Sequence, residues 1–288
     1  MIRLNVSIKL AYDVVGGPGD CIFNIHAAQT ARQRVVTESL HVTGCEQPGV
    51  DLDATSGCRF VRLRVPRGPL TVNYTATVDI DHFVEQPENL REVPINDLPL
   101  AALHYIYPSR YCQSDKLRQF AGREFGHIAP GYSRIKAIED WVYSRTTFRS
   151  GTSDDSTSAL DTLLEQAGVC RDFAHLMIAL CRAISIPARF ATGIDYDSPP
   201  ELGPPDFHAY VEVFLSGRWY IFDPSRLSPP MGLMRIGTGR DAADVSFATL
   251  FGSIQPVRPV VTIDAVDDPS QGFIRPYPCA EALSTHDS

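Results

Sequence analysis

The chain has 288 residues, 44% of them hydrophobic and 21% charged, with a formal net charge of −8 and a pI of about 5.5. That length holds one large or two modest domains with real cores. An acidic balance without a long basic run argues against nucleic acid or an anionic membrane surface as partner, and no apolar run reaches the ~18 residues a membrane span needs.

Residues 1–95 read as strands. Leu4, Val6, Ile8 and Leu10 alternate with polar residues, and so do Cys21, Phe23 and Ile25, then Val61, Leu63 and Val65, then Val72, Tyr74, Ala76 and Val78. Turn-forming runs separate them: GGPGD at 16–20, Gln47-Pro48-Gly49 and Arg67-Gly68-Pro69. Short strands so spaced predict an all-β, sandwich-like N-terminal domain. The first fourteen residues alternate in the same way and lack the continuous apolar core of a signal peptide. His26, His41 and His82 are scattered and form no constellation.

A proline-punctuated connection at 85–112 marks the boundary, and a core domain over 96–250 follows. Ser114 can cap a helix carrying Leu117, Phe120, Ala121 and Phe125. A second amphipathic run holds Ile135, Ile138, Trp141 and Val142. A polar loop at 149–158 includes Asp154 and Asp155, read as solvated. Ser158 and Asp161 form a capping-box pattern for a helix ended by Gly168.

The run GVCRDFAHLMIALCRAISI at 168–186 carries the chemistry. Ala174, Met177, Ile178, Cys181 and Ile184 recur at helical spacing, and Pro187 stops the helix. Cys170 thus sits in the first turn, where unpaired N–H groups and the positive end of the helix dipole favour a thiolate over a thiol of pKa ~8.5. Cys181, on the same stripe, reads as a small core hydrophobe. His175 is turned ~140° from Cys170 and reads as packed. Asp172 reads as a solvated first-turn carboxylate.

Strand patterns follow at 189–196 and 207–214, joined by a proline-rich loop at 198–205. Residues 207–223, FHAYVEVFLSGRWYIFD, carry a hairpin signal. A two-residue turn at Ser216-Gly217 sets Tyr210 opposite Asp223, with His208 one diagonal step away. A turn at Leu215-Ser216 sets His208 directly opposite Asp223. Either register puts both side chains on one face. Cys170, His208 and Asp223 then supply a nucleophile, a base and a group that orients the base. The Cys170 N–H is one oxyanion donor; Trp141 and Thr157 are weak candidates for a second. Arg240, Asp241 and Asp244 form either a loop beside the cleft or an ordinary salt-bridged loop. Residues 251–288 form a C-terminal extension with one strand at Val260–Ala265 and an irregular tail.

GVCRDFAHL, IPARFATG (186–193), FHAYVEV (207–213), FDPSR (222–226) and GTGRDAADVSF (237–247), in this order, resemble the transglutaminase-like superfamily, specifically the bacterial branch with a β-rich N-terminal domain. The resemblance implies an α+β, papain-like core in which the nucleophile helix packs on an antiparallel sheet. It carries over Cys170 as nucleophile, His208 as base and Asp223 as third member. Tyr210 replaces the tryptophan common after His-Ala in the family. The implied function is peptide or protein amide chemistry through a thioester, as a peptidase or amidase or by transglutaminase-type transfer to an amine. The competing reading is an inactive domain of the same fold that binds peptides or proteins. An arylamine-type acetyltransferase is disfavoured because residues 165–169 lack the Arg-Gly-Gly expected before the cysteine. Seven cysteines (21, 45, 58, 112, 170, 181 and 279), odd in number and without a CxxC pair, predict reduced thiols, a cytoplasmic setting and no structural zinc. No cofactor, metal, nucleic-acid or membrane partner is expected; the expected partner is a peptide or protein substrate, with or without an amine acceptor.

Overall fold

The computed structural model describes residues 1–199 and 205–286. Most of the predicted proline-rich loop at 198–205 therefore lies outside the described residues. The alternation of the N-terminal sequence emerges as two antiparallel sheets. In the first, β1 (Ile2–Val14) pairs with β6 (Gly68–Ile80) along its whole length, and β6 pairs with β3 (Gln33–Thr43). In the second, β5 (Arg59–Val65) lies between β2 (Gly19–Phe23) and the short β4 (Asp51–Leu52). Every second residue of β1, including Leu4, Val6, Ile8 and Leu10, is buried and shares one core with Phe23, Val61, Leu63, Val72 and Tyr74. Two sheets burying their alternating faces together make a sandwich. After the short β7 (Phe83–Glu85) the chain turns helical.

The helices are α1 (Leu100–Leu103), α2 (Arg118–Phe125), α3 (Tyr132–Arg145), α4 (Ala159–Glu165) and α5 (Cys170–Ala183). Their ends differ in detail from the pattern reading. Ser114 opens a 3-10 turn ahead of α2 and makes no side-chain cap. Ser158 and Asp161 do close a capping box on α4: the Ser158 N–H and hydroxyl both donate to Asp161 Oδ2, at 2.9 and 2.6 Å. That helix ends at Glu165, where Gln166 turns left-handed (φ 54°), rather than at Gly168. Gly168 belongs instead to β9 (Ala167–Gly168), parallel to β8 (Thr147–Phe148). At its far end α5 stops at Ala183, and Ser185 (φ 66°) reverses the chain before Pro187.

A four-stranded antiparallel sheet joins the two halves. Its order is β12 (Arg218–Phe222), β11 (Phe207–Leu215), β10 (Ala188–Asp195) and β13 (Leu233–Gly239). Ala188, Phe190, Ala209, Val211, Val213 and Leu215 pack with α5, whereas Ala191, Ile194, Tyr210, Ile221 and Met234 join the sandwich core. Both faces are covered, which explains why these strands read as nearly continuous apolar runs. The last stretch is woven into the rest. β14 (Ala248–Phe251) pairs with β2, and β15 (Ile254–Pro256) and β16 (Val260–Ala265) both pair with β1. β17 (Ala282–Ser284) pairs with β7.

Candidate active site

The start of α5 is fixed by its third residue. Asp172 Oδ2 accepts the Val169 N–H at 2.9 Å, and Asp172 Oδ1 pairs with Arg171 at 3.0 Å. Asp172 is fully buried, so the expectation of a solvated carboxylate is corrected: its oxygens are satisfied by the helix entry and a guanidinium. Only glycine at 168 permits this, since a Cβ there would lie 2.6 Å from the Cβ of Asp172. The entry so held places Cys170, half-buried, on the wall of a cavity of about 440 Å³.

His208 lies on the same cavity wall. Leu215 pairs with Arg218, and Ser216 and Gly217 take φ of 47° and 86°, a two-residue turn of the kind that matches strand twist. The structure therefore selects the first of the two registers, with Tyr210 opposite Asp223 and His208 on the diagonal. His208 Nε2 meets Asp223 Oδ2 at 3.1 Å, and both side chains are buried. The other carboxylate oxygen of Asp223 accepts the Ser225 N–H at 3.0 Å and its hydroxyl at 2.6 Å. Cys170 lines the same cavity as this imidazole, near enough for its sulfur to bear on the ring's charge. Cys170, His208 and Asp223, far apart in sequence, thus meet at one point.

Burial opposes charge on both members of the His208–Asp223 pair. The pair overcomes it: the Asp223 charge and hydrogen bond, with a further contribution from Cys170, hold the imidazolium well above the ordinary histidine range. Reciprocally, His208 and the two bonds from Ser225 outweigh burial and keep the Asp223 acid below its usual value.

Other residues singled out by sequence fall into place around this centre. His175 is fully buried, stacked on Tyr111 (centroids 5.0 Å apart, planes 11° apart), and accepts the Ala242 N–H at 3.1 Å. Burial, then the charges of Arg171 and Arg182, push its pKa well down, so it stays neutral. It is a packed residue that pins the 240–248 loop. That loop satisfies both alternatives weighed for it: Arg240 and Asp244 form a salt bridge (2.9 Å), and Ala242, Val245 and Ser246 line the cavity. Asp241 is buried, accepting the N–H groups of Tyr111 and Ala243. Cys181 is core, as read. Trp141 packs against Phe120 and Phe125, and Thr157 bonds within its own loop to Asp154. Neither is among the residues lining the cavity. Asp154 and Asp155 are exposed, as expected, and stand at the cavity mouth. Sequence reasoning missed Asp195, at the end of β10, whose Oδ2 lies 3.7 Å from His208 Nδ1.

A buried helix that opens on Cys170 and packs on an antiparallel sheet, with a thiol, an imidazole and a carboxylate near one cleft, defines the class. Comparison with known proteins gives the family. The transglutaminase-like superfamily profile matches residues 118–224, and that of the bacterial transglutaminase N-terminal domain matches residues 2–101. A crystal structure of a putative cysteine protease from Cytophaga hutchinsonii is 41% identical, superposes with a TM-score of 0.91 and covers 98% of this chain and 97% of that one. The chain belongs to the transglutaminase-like superfamily, in the bacterial branch with a β-rich N-terminal domain. An uncharacterized protein of Mycobacterium leprae (strain TN) is 23% identical, the match covering 64% of this chain and 68% of the relative. An uncharacterized protein of Mycobacterium tuberculosis (strain ATCC 25618 / H37Rv) is 32% identical over 143 residues, and this chain spans only 46% of its length. Among the described residues no helix is long and apolar enough to cross a membrane.

Proposed function

We propose that this protein is a cysteine-nucleophile enzyme that acts on peptide or protein amide bonds through a thioester. The observation that carries the reading is the single imidazole of His208, bonded to Asp223 at 3.1 Å, at the wall of an open cavity that Cys170 also lines. With Nε2 held by Asp223, Nδ1 is the nitrogen left to take the Cys170 proton. The sulfur then attacks the amide carbonyl, and the oxyanion meets the Cys170 N–H, which has no carbonyl one turn back at the helix start. The C–N bond breaks, and the amine leaves with the proton held at Nδ1. Water or an amine resolves the thioester, giving up its own proton to His208. A peptide-binding module without activity has no use for all three groups in bonding register, which favours the enzyme. A reducing compartment such as the cytoplasm suits a free thiolate and belongs to this proposal.

Limiting iodoacetamide should label Cys170 before the other six cysteines, at a rate still high near pH 6. Incubation with a pool of glutamine-containing peptides, with and without an added primary amine, then separates the outcomes. Cys170-dependent free acid alone means hydrolysis; amine adducts mean transfer. Absence of either product, together with Cys170 labelling that follows ordinary thiol titration near pH ~8.5, overturns the proposal.

A further inference from the structure

The strand register places a second carboxylate against His208. Gly193 on β10 is the partner of His208 on β11, so Asp195, two residues further, projects from the same face of the sheet. On the other flank, Phe222 of β12 pairs with Val211, which sets Asp223 diagonal to the same ring. The imidazole therefore stands between acids from both neighbouring strands. Asp223 reaches Nε2 at 3.1 Å and Asp195 faces Nδ1 at 3.7 Å. Asp195 is only 5% exposed, and its Oδ1 has no hydrogen-bond partner. A buried, half-satisfied carboxylate is costly, and an apolar residue would serve better if packing were its task. The charged groups that bear on it are His208, Asp223 and Asp206. Burial first, then the two other acids, push its carboxyl up, and His208 pulls it down.

We propose that Asp195 is a positioning residue: its carboxylate stabilises the protonated state of His208 Nδ1, the nitrogen that Asp223 leaves free. At 3.7 Å it is too distant to take the proton in a hydrogen bond, yet close enough for its charge to act. The S–H proton moves to Nδ1, the electron pair stays on sulfur, and Asp195 holds that proton on the ring until the leaving amine collects it. This deepens the amide-chemistry reading and rests on it for its catalytic meaning.

The test reads the imidazole directly, without substrate or thiol. In the full chain carrying Cys170→Ala, ring 15N signals follow the loss of the His208 imidazolium proton with pH. Adding Asp195→Asn should lower that midpoint by about one unit or more, the size an opposite charge within 4–6 Å confers. A packing role would lower thermal stability and leave the midpoint in place, and an unmoved midpoint overturns the proposal. If the Asn variant does not fold, the 13C carboxyl signal of Asp195 in the Cys170→Ala protein decides. It should step at the His208 midpoint, and a signal blind to that midpoint overturns the proposal. Because Cys170 is absent, these results stand apart from whether the labelling and peptide assays support the enzyme reading.

Discussion

At the scale of single residues, the site depends on a chain of polar contacts that ends at Ser225. Asp223 is buried, and three of its contacts are charge-assisted: the His208 ring and the Ser225 N–H and hydroxyl. Replacing Asp223 by Asn keeps the shape but removes the charge that steadies the imidazolium. Amide turnover should drop about 10²–10⁴-fold, the range seen when the acid behind a catalytic histidine is neutralised. Rates measured alongside an unchanged thermal midpoint would show that the loss is chemical. Ser225→Ala removes one of the two bonds to Oδ1, so its effect should be smaller, about 3–10-fold, the rate equivalent of ~1 kcal/mol. Cys170, His208 and Asp223 were legible in the sequence because each sits in a self-contained signal: a helix start, and the two arms of one tight hairpin. Asp195 was not. Its strand is visible in the pattern, but the long 196–206 connection, unlike a two-residue turn, sets no register with β11. Asp172 was misread as solvated because its neighbour Gly168 looks like a helix breaker, whereas its task is to leave room for a buried carboxylate.

At the scale of elements, two devices fix α5 and its sheet. The first is the Gly168–Asp172 approach at the entry of α5. Gly168→Ala would drive a methyl to 2.6 Å from the Asp172 Cβ, so the helix start must shift or the cap bond must break. The expected cost is about 1–3 kcal/mol. Slower alkylation of Cys170 should accompany the lower thermal midpoint, because the same turn carries the thiol. The second device is ionic. Glu212 on β11 pairs with Arg189 on β10 (2.7 Å) and with Arg235 on β13 (3.0 Å), all three buried. Burial would raise the Glu212 acid, but the two guanidinium groups pull it down to about 2. Glu212→Gln strands two buried cations and should destabilise the fold by about 3–5 kcal/mol in urea titration. The trio ties β11 to β10 and, across β10, to β13, and with the β10–β11 register it holds His208 beside Asp195. Pattern reading saw the strands but not this tie, since a polar residue in a covered strand carries no mark of its partner.

At the scale of the whole molecule, the two cores respond to pH through buried histidines that face opposite ways. His26, 2% exposed and tilted against Tyr74, belongs to the sandwich half; burial, with the nearby Arg59 charge, lowers its pKa from 6.5 to about 4. His175, in the helical half, is shifted in the same direction. A histidine whose folded pKa is depressed is protonated first in the unfolded chain. Its contribution is complete above pH 6.5 and erodes as pH falls. For His26 alone the loss is about 2 kcal/mol at pH 5, and His175 adds to it. His208 works in reverse. Its folded pKa is raised, so its contribution is complete below the unfolded value of 6.5 and is lost as pH climbs through the folded one. Stability should therefore peak near pH 6.5–7, with the acid side set by His26, His175 and His82, which burial likewise lowers to about 4, and the alkaline side by His208. Urea midpoints taken across pH 4.5 to 9.5 check this. His26→Phe should flatten only the acid limb, and His208→Gln only the alkaline one. A profile that climbs steadily with pH, or one in which His26→Phe leaves the acid limb as steep as before, would contradict the assignment of these groups.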